Sequence, residues 1–148
     1  MNLKPMIYSN NLAETEILAY ETLNTPMGLL TYYIVNYGSH PACYISIPNE
    51  HIFYNKDEDD ISKICHIDCH GGISYTGDTL PRSVPKYDEK SSTIPVWSTG
   101  WYIGWDYMHY TDYRLSPLYV HEGKKWTTEE MIADCYDVIN QLCTANCG

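Results

Sequence analysis

Residues 16–37 read Glu-Ile-Leu-Ala-Tyr-Glu-Thr-Leu-Asn-Thr-Pro-Met-Gly-Leu-Leu-Thr-Tyr-Tyr-Ile-Val-Asn-Tyr, and this stretch decides the fold class. Two runs within it, Glu16–Leu23 and Gly28–Tyr37, are rich in the β-branched, aromatic and apolar residues that are typical of strands. The residues between them, 24–28, include Asn, Pro and Gly, which favour turns. The pattern therefore predicts a β-hairpin at the start of the domain.

More strand-like runs follow along the chain. Residues 42–48 alternate cleanly between apolar and other positions, and the regions 64–76 and 94–108 are also predicted to contain strands. Residues 49–60 are polar and end in four successive acidic residues, so they predict a solvated loop. Residues 79–93, rich in Pro, Ser and charge, predict a long surface loop.

A single helix is predicted near the end of the chain, over residues 127–143. Thr127 and Glu130 have the spacing of a capping box, with Thr127 as the N-cap. Four apolar residues then form one stripe at helical spacing: Met131, Cys135, Val138 and Leu142. Strands first and a helix last predict one α+β domain over residues 1–148, with a mainly antiparallel sheet packed against the C-terminal helix. Residues 1–14 are expected to be a loosely ordered lead-in.

The composition excludes some classes of function. The chain of 148 residues has 19 acidic and 9 basic residues, for a net charge of −10. This balance argues against direct binding to nucleic acid, which requires Lys and Arg to neutralise phosphates. It permits a divalent metal ion or a basic protein partner. No apolar run is long enough to span a membrane and no signal peptide is evident, so we expect a cytoplasmic protein with reduced cysteines.

The heptapeptide His66–Gly72 is the first candidate site. As a strand it would place His66, Asp68 and His70 on one face, where Asp68 and His70 could act as an acid–base pair or bind a divalent ion. The alternative is a buried polar network with no chemistry. Gly71 and Gly72 could expose backbone N–H groups to an anion, or simply permit a bulge. Three other histidines, near turns, are expected to be solvated: His40, His51 and His121.

A second polar cluster follows the last strand-like run. Asp106, His109 and Asp112 are spaced by three, and a turn in the chain could bring them together. With Asp68 and His70 they would form an oxygen-rich site for magnesium or manganese, or a charged rim around a nucleotide pocket. Three aromatic residues, alongside Gly71 and Gly72, are candidates for contacting the ligand: Tyr75, Trp101 and Trp105.

An ordered set of motifs runs through the chain: Gly38–Pro41, Tyr44–Pro48, Ile67–Tyr75, Gly100–His109, Lys125–Glu130 and Val138–Leu142. In these motifs the chain resembles a group of small proteins of bacteriophages, prophages and Firmicute genomes. Their pattern has Asp, His, Gly and Gly at positions 68 and 70–72, and Asp and His at 106 and 109. This chain departs from the pattern at His66, which weakens the case for that residue, and at Thr111, where the group has glycine.

The resemblance implies a phage or mobile-element accessory protein, without implying a particular reaction. The leading hypothesis is a counter-defence or host-interfering protein that binds a nucleotide-like small ligand in a pocket lined by four residues: Asp68, His70, Asp106 and His109. One alternative is a metal-dependent hydrolase acting on a phosphodiester or nucleotide, with the same four residues as the catalytic set. The other is an acidic inhibitor of a basic, nucleic-acid-binding host protein. Whether the protein is an enzyme, and whether it holds a metal ion, is left open by the sequence.

Overall fold

The fold is a twisted-sheet α+β arrangement of the kind the sequence predicts. The computed structural model describes residues 3–9, 15–81, 100–115 and 120–147. In this part of the chain five strands form one antiparallel sheet in the order β1-β2-β3-β5-β4, and a C-terminal helix packs on it. The elements are β1 (Glu16–Thr25), β2 (Gly28–Asn36), β3 (Pro41–Ile47), α1 (Glu58–Ile64), β4 (Tyr75–Gly77), β5 (Trp101–Asp106), β6 (Arg114–Leu115), β7 (Val120–His121) and α2 (Thr128–Cys147).

The predicted hairpin is confirmed, and its turn has a clear physical cause. Strands β1 and β2 pair from Thr25↔Gly28 back to the strand ends, so only two residues connect them. Gly28 has a φ of +101°, which an L side chain rarely adopts. The Thr25 hydroxyl accepts a hydrogen bond from the Met27 N–H at 3.1 Å and donates one to the Gly28 carbonyl at 2.7 Å.

Both faces of the sheet are buried. On the face toward α2, Ile34, Cys43 and Trp105 lie opposite one another on β2, β3 and β5, and none is more than 1% exposed. Tyr33 and Tyr102 lie in a second apolar cluster. Because side chains alternate along a strand, each of the three central strands, β2, β3 and β5, contributes side chains to the apolar clusters on both faces of the sheet.

Helix α2 begins as the capping box predicts. The Thr127 hydroxyl accepts from the Glu130 N–H at 3.2 Å, and the Glu130 carboxylate accepts from the Thr127 N–H at 3.1 Å. The predicted stripe is at most 1% exposed, which confirms its packing on the sheet: Met131, Cys135, Val138 and Leu142. No helix among the described residues is both long and apolar enough to cross a membrane.

Two predictions about local structure are wrong. Residues 64–76 do not form a strand except for Tyr75 and Thr76, because Gly71 and Gly72 both have positive φ and the Gly72 N–H bonds to the Cys69 carbonyl to close a turn. The acidic run after Lys56 is not a loop. Asp57 caps α1 by accepting from the Asp60 N–H at 2.8 Å, and the acids that follow suit the positive end of the helix dipole.

Other predictions fall partly outside the described residues. Positions 82–93 of the predicted loop and 94–99 of the predicted strand region are not described. Of the predicted lead-in, residues 3–9 are described. Its Lys4 N–H bonds to the Leu18 carbonyl, and its Lys4 carbonyl accepts from the Thr128 hydroxyl, so this segment bridges β1 and α2.

We expect the Leu142→Ala variant to lose about 2–5 kcal/mol of unfolding free energy, because a fully buried leucine leaves a cavity between α2 and the sheet. Urea denaturation followed by circular dichroism measures this loss. Asn140→Ala is the matched control on the exposed side of the same helix turn and should stay within about 0.5 kcal/mol of the wild type. Equal losses for both variants would contradict the packing of this stripe.

His51 is a structural histidine, which corrects the expectation that it is solvated. It is 4% exposed, its Nε2 is 2.9 Å from the Leu142 carbonyl, and its Nδ1 accepts from the Phe53 N–H at 2.9 Å. These partners require the neutral ring with its proton on Nε2. Burial lowers the pKa of His51. His40 is also part-buried against Ser39, and the His121 side chain lies outside what the structure describes.

The lowered pKa of His51 predicts a loss of stability in acid. Below the ordinary histidine pKa of 6.5, the unfolded chain binds a proton that the folded chain does not, so the free energy of unfolding falls as pH falls. Above that pH this contribution is constant. Urea midpoints between pH 8 and pH 5 should fall less steeply for His51→Gln than for the wild type. Parallel curves for the two proteins would show that His51 is not the group responsible.

Candidate functional site

The site is built around a histidine–carboxylate pair. Nε2 of His70 lies 2.7 Å from Oδ2 and 2.9 Å from Oδ1 of Asp112. Asp112 is 1% exposed, whereas the His70 side chain keeps 19% of its surface exposed. Asp112 is therefore buried inside the protein, whereas His70 is accessible to a ligand.

Asp112 is held by donors from three parts of the chain. Besides His70, it accepts from the Trp126 Nε1–H at 2.8 Å and from the backbone N–H of His109 at 3.0 Å. A backbone bridge between Asp112 and Lys124 brings the segment before α2 alongside. Burial by itself raises the pKa of Asp112, but these hydrogen bonds outweigh burial, and its pKa lies below the ordinary value. Asp112 is therefore a carboxylate at neutral pH.

A second histidine–aspartate pair lies beside the first. Nε2 of His109 is 3.5 Å from Oδ1 of Asp106, and the two histidine rings are 5.3 Å apart. Asp106 ends β5 and is fixed by the Ser74 hydroxyl at 3.0 Å and the Met108 N–H at 3.1 Å. Nε2 of His109 is buried and has no hydrogen-bond partner among the described residues.

Aromatic rings fix the orientation of His70. Its ring stacks on Tyr107 at 4.6 Å with an angle of 14° between planes, and Trp126 meets it edge-on at 4.8 Å. The Tyr107 hydroxyl donates to Asp134 of α2 at 2.6 Å and accepts from the Trp105 Nε1–H at 3.1 Å. Burial is the main cause that raises the pKa of Tyr107, so its hydroxyl keeps its proton and remains a donor.

His70 forms part of the wall of a cleft of about 230 Å³ between its loop and α2. The lining residues are Asp68, Cys69, His70, Trp126, Asp134, Asp137 and Val138. Among these described residues there are three carboxylates and no Lys or Arg. The lining therefore favours hydrogen-bond donors and cations, and it disfavours an unaccompanied phosphate.

The structure separates Asp68 from the histidine–carboxylate cluster. The Asp68 N–H and carbonyl bond to the Gln141 side chain, each at 2.7 Å, and this pairing ties the loop to α2. Asp68 is exposed and is one of the residues that line the cleft. Of the five predicted metal ligands, His70, His109 and Asp112 have ligand atoms within 4.8 Å of one another. Asp106 adjoins this group through His109.

None of the three aromatic residues predicted to contact the ligand lines this cleft, and one of them is excluded by its burial. Trp105 is 1% exposed and lies in the core, so its ring cannot stack on a ligand. The indole N–H of Trp101 donates to the Lys56 carbonyl, and Trp101 packs against the same core. Tyr75 packs edge-on against Tyr44 in the opposite layer of the sheet.

The two glycines of the heptapeptide have different roles. A Cβ on Gly71 would lie 2.0 Å from Nε2 of His109, so the missing side chain makes room for this ring rather than for a ligand. A Cβ on Gly72 would meet nothing within 4 Å. Gly72 is therefore required for its φ of +83° alone.

Sequence reasoning missed the contribution of α2 to the cleft. Asp134, Asp137 and Gln141 share one side of the helix, next to its buried stripe. Their spacing of three and four is a visible signal of a common polar face. It does not indicate that the loop of His70 lies against that face. Trp126 falls within the motif Lys125–Glu130, and nothing in that motif indicates that its indole N–H holds Asp112.

His66 does not line the His70 cleft. It is exposed and lines a larger groove of about 570 Å³, together with apolar residues such as Ile52 and Ile64. The two depressions share Asp137 in their walls. Although this groove is the larger, it contains neither member of the His70–Asp112 pair, so we place the site in the smaller cleft.

The chain was compared with protein-family models, with curated proteins and with solved structures, and none of the three comparisons found a match. The resemblance to small phage proteins therefore stays a prediction from the sequence motifs.

The two glycines provide a matched test of how His109 is seated. Each alanine variant should lose about 1–2 kcal/mol from its left-handed backbone conformation. Gly71→Ala should lose more than Gly72→Ala and should also move the His109 ring, because of the 2.0 Å clash. Urea denaturation measures the difference, and the imidazole signals of His109 in ¹⁵N NMR report the ring. Unmoved signals in Gly71→Ala would contradict the contact.

Proposed function

We propose that this chain is a phage-type accessory protein that interferes with a host system, or counters a host defence, by binding a nucleotide-like ligand beside His70. The accessory role and the cytoplasm of a bacterial host as its location are inferred from the sequence resemblance and composition. The observation that supports the ligand-binding part is the His70–Asp112 pair at the wall of the acidic cleft.

The pair supports ligand binding because its two members differ in exposure. The buried carboxylate accepts the Nε2 proton of His70, which leaves Nδ1 as the acceptor nitrogen of the neutral ring. Stacking on Tyr107 prevents the ring from turning freely. A partly exposed imidazole held in one tautomer can accept a ligand N–H or O–H, and it can also move a proton.

The cleft restricts the class of ligand. Its volume of about 230 Å³ is below the roughly 300–1,000 Å³ of sites that enclose drug-sized molecules, so it holds one part of a nucleotide. Carboxylates of Asp68, Asp134 and Asp137 accept hydrogen bonds from ribose hydroxyls and from base amino groups. We therefore expect the nucleoside end to enter the cleft and any phosphate to remain outside it.

A second candidate function is favoured by the bare Nε2 of His109 next to the first pair. Two histidines and two aspartates in contact are suited to metal-dependent hydrolysis of a phosphodiester or nucleotide. In that function His70 or His109 would serve as the base or acid. The two candidates differ in one measurable respect, because only the hydrolase converts its ligand.

Isothermal titration calorimetry against nucleosides, cyclic nucleotides and ADP-ribose-type nucleotides tests the binding proposal. We expect His70→Ala to weaken the affinity at least about tenfold, since the loss of one hydrogen bond to a fixed imidazole is worth about 1.4 kcal/mol. His66→Ala is the matched control, because His66 is exposed and lies outside the cleft, and it should bind like the wild type.

The results separate the three classes of function. Absence of heat across the whole panel would reject the ligand-binding proposal. Product formation from a bound nucleotide, lost in His70→Ala, would favour the hydrolase. A salt-sensitive complex with a basic host protein that is unaffected by His70→Ala would instead favour an acidic inhibitor.

A further inference from the structure

We propose that His70, His109 and Asp112 together bind one divalent transition-metal ion. One ring nitrogen of each histidine and one carboxylate oxygen lie within 4.8 Å of one another, and the residues come from the His70 loop and the turn after β5. The inference rests on the same site as the proposed function and names the ion that this site would use.

The geometry requires only small side-chain movements. Zinc binds imidazole nitrogen at about 2.0–2.1 Å and carboxylate oxygen at about 2.0–2.2 Å, so ligand atoms around one ion are about 3–4 Å apart. For one ion to bind, the 2.7 Å distance between Nε2 of His70 and Oδ2 of Asp112 must lengthen slightly. The longest distances between ligand atoms, which reach up to 4.8 Å, must shorten. In this arrangement the ion replaces the proton that His70 and Asp112 share.

A second observation points to a ligand at this place. Nε2 of His109 is shielded from solvent and makes no hydrogen bond to the part of the chain that the structure describes, where the nearest carboxylate oxygen, on Asp106, is 3.5 Å away. A buried polar nitrogen without a partner is unfavourable, and turning this ring toward an ion would satisfy it. Nε2 is also the ring atom that lies nearest the place of a Gly71 Cβ, at 2.0 Å, so this nitrogen faces the loop that carries His70.

The charge and the surrounding hydrogen bonds are also those of a cation site. Asp106 and Asp112 place two carboxylates against two imidazoles, and a doubly charged ion would balance them. The Trp126 indole and the His109 N–H hold Asp112 from behind, as outer partners orient metal-binding carboxylates. These bonds fix the oxygen atoms before any ion arrives.

The ligand set determines the kind of ion. Two nitrogens and one oxygen favour zinc, cobalt or iron over the magnesium or manganese expected from a five-residue, oxygen-rich set. Three protein ligands also leave positions open for water or a phosphate oxygen. An ion here would supply the positive charge that the lining of the neighbouring cleft lacks, so a nucleotide phosphate could bind through it.

Titration of the full chain with Co²⁺ alone tests the site, because its visible absorption reports the coordination and a near-ultraviolet thiolate band would reveal binding by cysteine instead. We expect a visible band without the thiolate band, displacement by Zn²⁺, and loss of the band in His70→Ala and in His109→Ala. His66→Ala should be unchanged. Trp126→Phe, which keeps an aromatic side chain but removes the hydrogen bond to Asp112, should weaken the affinity about 10–100-fold.

His70→Ala and His109→Ala are both tested in case one of them fails to fold. His109 is more exposed than the rest of the cluster, and its loss leaves the Asp112–His70 pair in place. Absence of a visible band in the wild type, or a band that survives both histidine variants, would overturn the metal site. Nucleoside calorimetry in the presence of EDTA tests ligand binding without the ion. Binding there with no Co²⁺ band would reject the metal site and retain the proposed function.

Discussion

The buried carboxylate of Asp112 is the interaction on which the site depends. It is 1% exposed and accepts hydrogen bonds from His70, His109 and Trp126, which belong to three separate parts of the chain. A carboxylate buried without partners would cost several kcal/mol, so these donors must be present together. Satisfying one charge therefore fixes the His70 loop, the turn after β5 and the start of α2 relative to one another.

Two glycines make this convergence possible by letting chain segments approach closely. The His109 ring occupies the space that a side chain on Gly71 would fill, and a Cβ on Gly123 would lie 2.5 Å from the Thr111 carbonyl oxygen and from the carbonyl carbon of Asp112. The second approach permits the bridge between Asp112 and Lys124. Both glycines allow one part of the chain to pack closely against another. A glycine next to a candidate site would otherwise suggest contact with a ligand.

The proposals for ligand and ion share one electrostatic basis. The cleft has carboxylates from Asp68, Asp134 and Asp137 in its walls, within a chain of net charge −10. Such a lining suits the donor-rich base and ribose of a nucleoside, while a phosphate needs a positive charge from elsewhere. An ion at His70 would stand at the edge of the same cleft. Recognition of a nucleotide would then be divided between protein carboxylates and the ion.

The α+β class, the first hairpin and helix α2 could be predicted from the sequence, because each depends on residues a few positions apart: turn residues, alternation, and a cap three residues from its partner. It also identified His70, Asp106, His109 and Asp112 as candidates. The alternation pattern also paired Asp68 with His70 and predicted a strand over 64–76, where the folded chain closes a turn at Gly71–Gly72. The pairing of His70 with Asp112, 42 residues away, could not be predicted in this way, since it depends on which donors can reach a buried charge once the chain has packed.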